Sequence, residues 1–188
     1  PNPTREANLI FQYILQKPIF LIDPNLTISN KHKREFEKLI NRRKNHEPFA
    51  HLTGEVIFCG HTIKVNKHVL IPRPETEILV DIISSRLKKN LKNLNIADIG
   101  TGSGAIAIAL AKKFPKLNIA ASDKYKSALK IANHNIQSNH LEKQITQIQG
   151  DLLKPYKNNS LDIIVANLPY IPELQRFEID KTVVLFEP

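Results

Sequence analysis

Ile96-Ala97-Asp98-Ile99-Gly100-Thr101-Gly102-Ser103-Gly104-Ala105 is the stretch on which the fold turns. Its first four residues make a short, mostly apolar strand. Gly100 to Gly104 then form a turn whose backbone can come close to a ligand, because every second residue lacks a side chain. An apolar run over 105–114 follows at helical spacing. The pattern continues downstream. Residues 118–122 read as a strand ending at Asp123, 125–139 as a helix with Ala128, Leu129, Ile131 and Ala132 inward, and 145–149 as a third strand leading to Gly150-Asp151. Residues 161–166 read as a fourth strand, ending at Asn167-Leu168-Pro169-Tyr170. Alternation of this kind predicts an α/β fold with a parallel sheet and right-handed crossovers.

Upstream the character changes. Residues 4–16 read as a helix capped by Thr4, with Leu9, Ile10, Tyr13 and Ile14 as its apolar stripe. A second helix over 30–44 takes Ser29 or Asn30 as its cap and carries Phe36, Leu39 and Ile40 on one face, and Pro48 blocks its continuation. Residues 55–59 and 62–66 alternate as strands around a Gly60-His61 loop, which predicts a hairpin. Pro74 suits the first turn of a further helix, Glu75 and Glu77 complement its positive end, and Ile78, Leu79, Ile82, Ile83 and Leu87 repeat at helical spacing before Lys88-Lys89. The expected organisation is a helical domain over 1–50, a hairpin linker over 51–72 and a ligand-binding α/β domain over 73–188.

Composition sets limits on class. With 41% hydrophobic and 24% charged residues, disorder throughout is excluded. No apolar run approaches the length of a membrane span, and 1–6 lacks the core of a signal peptide. Cys59 is the only cysteine, which fits a reducing, cytoplasmic setting. No metal site is expected, since His32, His46, His51, His61, His68, His134 and His140 are scattered without ligand spacing. The net charge of +9 fits either a lysine-rich solvated surface or attraction to nucleic acid, ribosomes or acidic partners. Aromatic residues are not interleaved with the basic clusters at 31–34 and 42–44, so direct base reading is not indicated.

Gly100, Gly102 and Ala105 alone fit a dinucleotide fingerprint as well as other nucleoside sites. Asp98 shifts the balance. Two residues before Gly100, its carboxylate suits a ligand with an α-amino group and a cationic sulfur, and it would repel a pyrophosphate. Asp123 stands where a carboxylate accepts hydrogen bonds from a ribose diol, or where it caps the next helix. Asp151 is placed to meet an adenine amino group, or serves as a turn residue. At the end of the fourth strand, Asn167 Oδ1 and the Leu168 carbonyl can accept the two N–H groups of a planar amide. Pro169 restrains Leu168 to extended geometry, and Tyr170 can pack on the flat face of that amide. Transfer of an activated methyl group to such a nitrogen needs positioning and electrostatic support, with no strong base.

These residues, with Glu47-Pro48-Phe49-Ala50-His51-Leu52-Thr53-Gly54 and Val69-Leu70-Ile71-Pro72-Arg73-Pro74-Glu75-Thr76-Glu77, closely resemble the HemK/PrmC family across essentially the whole chain. These are protein-(glutamine-N5) methyltransferases acting on peptide chain release factors. The resemblance implies a class I, Rossmann-like sheet that binds S-adenosyl-L-methionine through Asp98, Gly100, Thr101, Gly102, Ser103, Gly104, Asp123, Asp151 and Asn167. It implies catalysis at Asn167, Leu168, Pro169 and Tyr170, with Arg73, Pro74, Glu75 and Thr76 joining them on the substrate side. The implied acceptor is the glutamine of the release-factor Gly-Gly-Gln loop, and the N-terminal helices help to dock that protein. Nucleic acid enters only indirectly.

Two departures qualify the resemblance. The family tetrapeptide is usually Asn-Pro-Pro-Tyr, and Leu168 replaces its first proline. Asn-Leu-Pro-Tyr is also the form in ribosomal RNA adenine dimethyltransferases. The chain stops at Phe186-Glu187-Pro188, so the sheet is expected to be C-terminally incomplete, with its fourth strand as an edge. The rivals are an RNA or DNA adenine N6-methyltransferase, an inactive truncated binding module, and an NAD-dependent oxidoreductase, which Asp98 and Asn167–Tyr170 count against.

Overall fold

The computed structural model describes residues 2–23, 25–87, 94–168 and 185–188, in two units, Pro1–Thr53 and Gly54–Pro188. The first unit holds three helices: α1 Pro3–Leu15, α2 Asn30–Lys44 and α3 Phe49–Thr53. Asn2, not Thr4, caps α1. Its Oδ1 accepts from the Thr4 and Arg5 N–H groups at 3.0 and 3.3 Å, because Pro3 takes the first helical position and the cap falls on the residue before it, two back from Thr4. Ser29 Oγ accepts from the His32 N–H at 3.2 Å and caps α2. Ile10, Leu39 and Leu52 form the core, packed by Tyr13, Ile14, Phe36, Ile40 and Phe49. Phe11 stacks on Phe36 at 4.2 Å. α3 was not expected from the sequence. It follows Pro48, whose carbonyl accepts from the His51 and Leu52 N–H groups, so the proline that blocks α2 also opens the next turn. Part of the basic cluster is neutralised within the unit, where Arg43 Nε donates to Glu6 Oε2 at 2.6 Å and Arg42 Nε to Glu47 Oε2 at 2.7 Å.

The second unit opens with an antiparallel hairpin, β1 Glu55–Phe58 and β2 His61–Lys64, in which Phe58 pairs with His61. The two-residue loop is therefore Cys59-Gly60, one position earlier than expected. Both residues have positive φ (47° and 78°), as a primed hairpin turn requires. Phe58 and Ile63 are buried on one face.

Helix α4, Pro74–Arg86, starts at the predicted proline. Its buried positions are Val80 and Ile83, whereas Ile78 and Ile82 of the expected stripe are 60% and 46% exposed. Two apolar rows run along this helix, and sequence alone could not say which faces inward. Lys88 and Lys89 lie outside the described residues.

Strands β3 Asn95–Ile99, β4 Asn118–Asp123, β5 Ile145–Gln149 and β6 Ile163–Ala166 form one parallel sheet in the order β5-β4-β3-β6. Helices α5 Ala105–Lys113 and α6 Lys126–Ser138 make the crossovers. All seven α5 residues from Ala105 to Ala111 are buried. On α6 the inward row is Ala128, Ala132, Asn135 and Ile136, while Leu129 and Ile131 are only partly covered. The chain steps from β3 out to β5 and then returns to the other side of β3 for β6. That reversal is a topological switch point, and the carboxyl ends of β3 and β6 flank it.

Candidate active site

Because the strands are parallel, the residues after β3, β4, β5 and β6 meet at one edge. Gly100, Asp123, Asp151 and Asn167 all stand there. Gly100, Gly102 and Gly104 have φ of 68°, 55° and 81°. The turn is closed by Thr101 N–H donating to Ser122 O and Gly104 N–H to Thr101 O, both at 2.8 Å.

Asp98 is buried beneath this turn, only 1% exposed. Its Oδ2 accepts from Thr101 Oγ1 at 2.7 Å and from the Ala107 N–H at 3.3 Å. Its Oδ1 is buried and has no hydrogen-bond partner among the described residues. Burial pushes this carboxyl up to about 6; the bonds from Thr101 and Ala107 pull it down, and the charge of Asp123 adds to the rise. A buried acceptor with one oxygen unmatched calls for a cation or an N–H donor.

Asp123, at the end of β4, is nearly buried. Oδ2 accepts from the Gly102 N–H at 3.0 Å and Oδ1 from the Tyr125 N–H at 2.9 Å. The side chain thus ties the turn to the start of α6, and each oxygen keeps lone pairs for a hydroxyl. Asp151 is more open. Lys154 Nζ lies 2.6 Å from its Oδ2 and holds the carboxyl below its usual range. Thr101 and Ser103 are buried within the turn, facing the protein.

Asn167 is half-buried just beyond β6, and its Nδ2 donates to Thr76 Oγ1 on α4 at 3.2 Å. Leu168 reaches back over the glycine turn: a Cβ built on Gly100 would lie 2.6 Å from Leu168 Cδ2. The structure thus brings Gly100, Leu168, Asn167 and Thr76 together. Pro169 and Tyr170 lie outside the described residues. Arg73 pairs with a residue near the end of the chain. Its guanidinium donates to Glu187 Oε1 at 2.6 Å, and the Ile71 N–H donates to Glu187 Oε2 at 3.2 Å. Pro74 and Glu75 are exposed at the start of α4.

Sequence reasoning missed Asn135. It is 1% exposed and makes three hydrogen bonds. Oδ1 accepts from the Lys64 N–H at 2.8 Å, and Nδ2 donates to Lys64 O at 2.9 Å and to Ser103 O at 2.8 Å. One amide therefore fixes the end of the hairpin and the glycine turn to α6. The available signal was a polar residue on the inward row of a helix, three positions after Ala132.

Among the described residues, no group of three or more His, Cys, Asp or Glu is placed to hold a metal ion, and no helix is long and apolar enough to cross a membrane.

Comparisons with known proteins bear on what this edge does. Residues 75–184 match the family model of the methyltransferase small domain, and residues 1–54 that of the PrmC N-terminal domain. A release factor glutamine methyltransferase of Flavobacterium psychrophilum is 41% identical over 177 residues, covering 93% of this chain and 61% of that protein. A bifunctional methyltransferase of Rickettsia typhi is 35% identical over 205 residues, covering 99% of this chain and 40% of that one. The chain thus spans between 40% and 61% of the length of these curated relatives. The crystal structure of Pyrococcus horikoshii PH0793 shares the fold, with a TM-score of 0.51 at 18% identity over 65% of this chain and 45% of that one.

Proposed function

This chain belongs to the methyltransferase small-domain family with a PrmC N-terminal domain ahead of it, and on that footing we propose that it methylates the side-chain amide nitrogen of the glutamine in the Gly-Gly-Gln motif of peptide chain release factors. The observation that carries the proposal is the meeting of the Asn167-Leu168 corner with the glycine turn, where Leu168 packs over Gly100.

The residues present fit S-adenosyl-L-methionine. The unmatched Asp98 Oδ1 beneath the turn suits a cationic amino group, directly or through water. Asp123 retains acceptor capacity for a ribose diol. Gly100, Thr101, Gly102, Ser103 and Gly104 supply the close backbone approach, Asp151 completes the set, and Asn167 borders it from the acceptor side. Bound there, the cofactor supplies a methyl group activated by a positive sulfur.

The protein's part is to hold the acceptor. An amide nitrogen is a weak nucleophile because its lone pair is delocalised into the carbonyl. Asn167 Oδ1 and the Leu168 carbonyl accept its two N–H groups, fix its position and favour lone-pair density directed at the methyl carbon. Orientation of this kind lowers a barrier by roughly 7–11 kcal/mol at best. The two acceptors also stabilise the positive charge that grows on nitrogen. The surplus proton then leaves to water. From the sequence, Pro169 is expected to restrain the backbone of Leu168 and Tyr170 to pack on the acceptor amide. Pro74, Glu75 and Thr76 stand on the same side, and Arg73 acts there through Glu187. The N-terminal helical unit docks the release factor, and the reaction takes place in the cytoplasm.

The test is to incubate a release factor and total RNA separately with the complete native protein and methyl-labelled cofactor. One methyl group on the Gly-Gly-Gln glutamine, located by mass spectrometry, is the expected outcome. Label entering RNA and not the release factor would refute the proposal in favour of adenine methylation.

A further inference from the structure

We infer that Thr76 is a positioning residue whose hydroxyl anchors the Asn167 amide by its Nδ2 and so leaves Oδ1 toward the acceptor. This rests on the proposed reaction and deepens the part Asn167 plays in it. A carboxamide carries an oxygen and an NH2 of nearly equal size at the two ends of one plane. Packing hardly distinguishes them, and a hydroxyl can bond either one, so the pairing that is made sets which end stays open. The Asn167 Nδ2 donates to Thr76 Oγ1 at 3.2 Å. With that end engaged, Oδ1 is the end left for an incoming N–H. Turned over, the side chain would point a donor at a donor and repel the acceptor amide.

The hydroxyl is also well anchored. Thr76 is the third residue of α4, after Pro74, and its N–H donates to Arg73 O at 3.0 Å. Arg73 and the Ile71 N–H grip Glu187, whose side chain is 1% exposed. The segment from Ile71 to Thr76 is therefore pinned by a buried carboxylate at one end and by a helix start at the other. Its other polar contacts are structural, and the Thr76 hydroxyl is the group it turns toward Asn167.

The experiment uses the complete native polypeptide with Thr76→Val, which keeps the shape and loses the hydroxyl, and Thr76→Ser, which keeps the hydroxyl. Methyl transfer to a release factor is measured with kcat and KM separated, and the Asn167 side-chain NH2 signals are followed in 15N-resolved spectra. Loss of one neutral hydrogen bond predicts a kcat about tenfold lower in Thr76→Val. The KM for cofactor and the melting temperature should hold, and Thr76→Ser should recover most of the rate. The Asn167 NH2 signals should shift in Thr76→Val and stay in place in Thr76→Ser. Unmoved signals, or an unchanged kcat in Thr76→Val, would overturn the inference. A wild-type protein inert toward release factors, with the signals still shifting, would instead overturn the proposed acceptor and uphold Thr76 as the anchor of Asn167.

Discussion

The two corners that flank the switch point are built differently. The turn after β3 is closed on its own surroundings, with one Asp98 oxygen left over: Asp98, Thr101, Ser103 and Asp123 are buried, and the backbone bonds run between the turn, the end of β4 and α5. The corner after β6 is half open, and its amide is held by Thr76, far away in sequence. On the proposed reading, the first corner couples ligand binding to the integrity of the fold. The second can be altered with little effect on folding, so chemistry and stability should separate there.

The sharpest way to break this contrast is Asn167→Ala. Removing one positioned polar group at a reacting centre predicts a loss of roughly a hundredfold or more in kcat. Cofactor affinity by calorimetry should change little. A large loss of cofactor binding would mean that the two corners act as one.

The next largest effect belongs to Asn135→Leu. It leaves the Lys64 N–H, Lys64 carbonyl and Ser103 carbonyl without their partner, and a destabilisation of about 2–4 kcal/mol is expected from denaturant unfolding. Wild-type stability in this variant would show that the glycine turn does not depend on the hairpin.

A pH series sharpens the comparison from the side of Asp98. Its carboxyl stands at about 6 in the fold against an ordinary 3.8. The ligand-free fold therefore binds this proton more readily than the unfolded chain does. Its contribution to stability is fully present below pH 3.8 and is lost as pH rises through about 6. A cation over Oδ1 selects the ionised form and reverses the trend. Cofactor affinity should strengthen several-fold, roughly toward tenfold, between about pH 5 and 7, and Asp98→Asn should flatten that profile. Affinity that weakens with rising pH would remove Asp98 from the cationic group.

The smallest effect is expected at Asp151→Ala. The carboxylate is open to solvent and already paired with Lys154, so its loss should weaken cofactor binding by about threefold or less. A much larger change in the dissociation constant would give Asp151 a direct place in the cofactor site.

Much of this was legible in the residues. Isoleucine and alanine in short runs around Gly100–Gly104, with helical spacing between them, specify strand, turn and crossover because hydrophobic period and glycine conformation are local properties. The position of Asn167 at the end of an apolar run likewise placed it at the sheet edge. The helix ends and the inward faces were less accessible. Pro3 moved a cap to Asn2, and Ile78 and Ile82 proved exposed, since amphipathic rows say that a face will be buried but not which of two rows wins. The roles of Asn135, Arg73 and Glu187 were hidden because each is defined by a partner distant in the chain: Lys64 and Ser103 for Asn135, Ile71 and Arg73 for Glu187.

The amino-acid order by itself determined the parallel α/β architecture, the glycine turn and the chemical types gathered at its edge, because strand, helix and turn preferences act over a few neighbouring residues. Only the tertiary structure decided that Leu168 lies against Gly100, that Thr76 holds the Asn167 amide and that one oxygen of Asp98 is left without a partner. Those facts depend on segments brought together by the sheet's reversal around β3, and no local preference encodes a distance between residues so far apart in the chain.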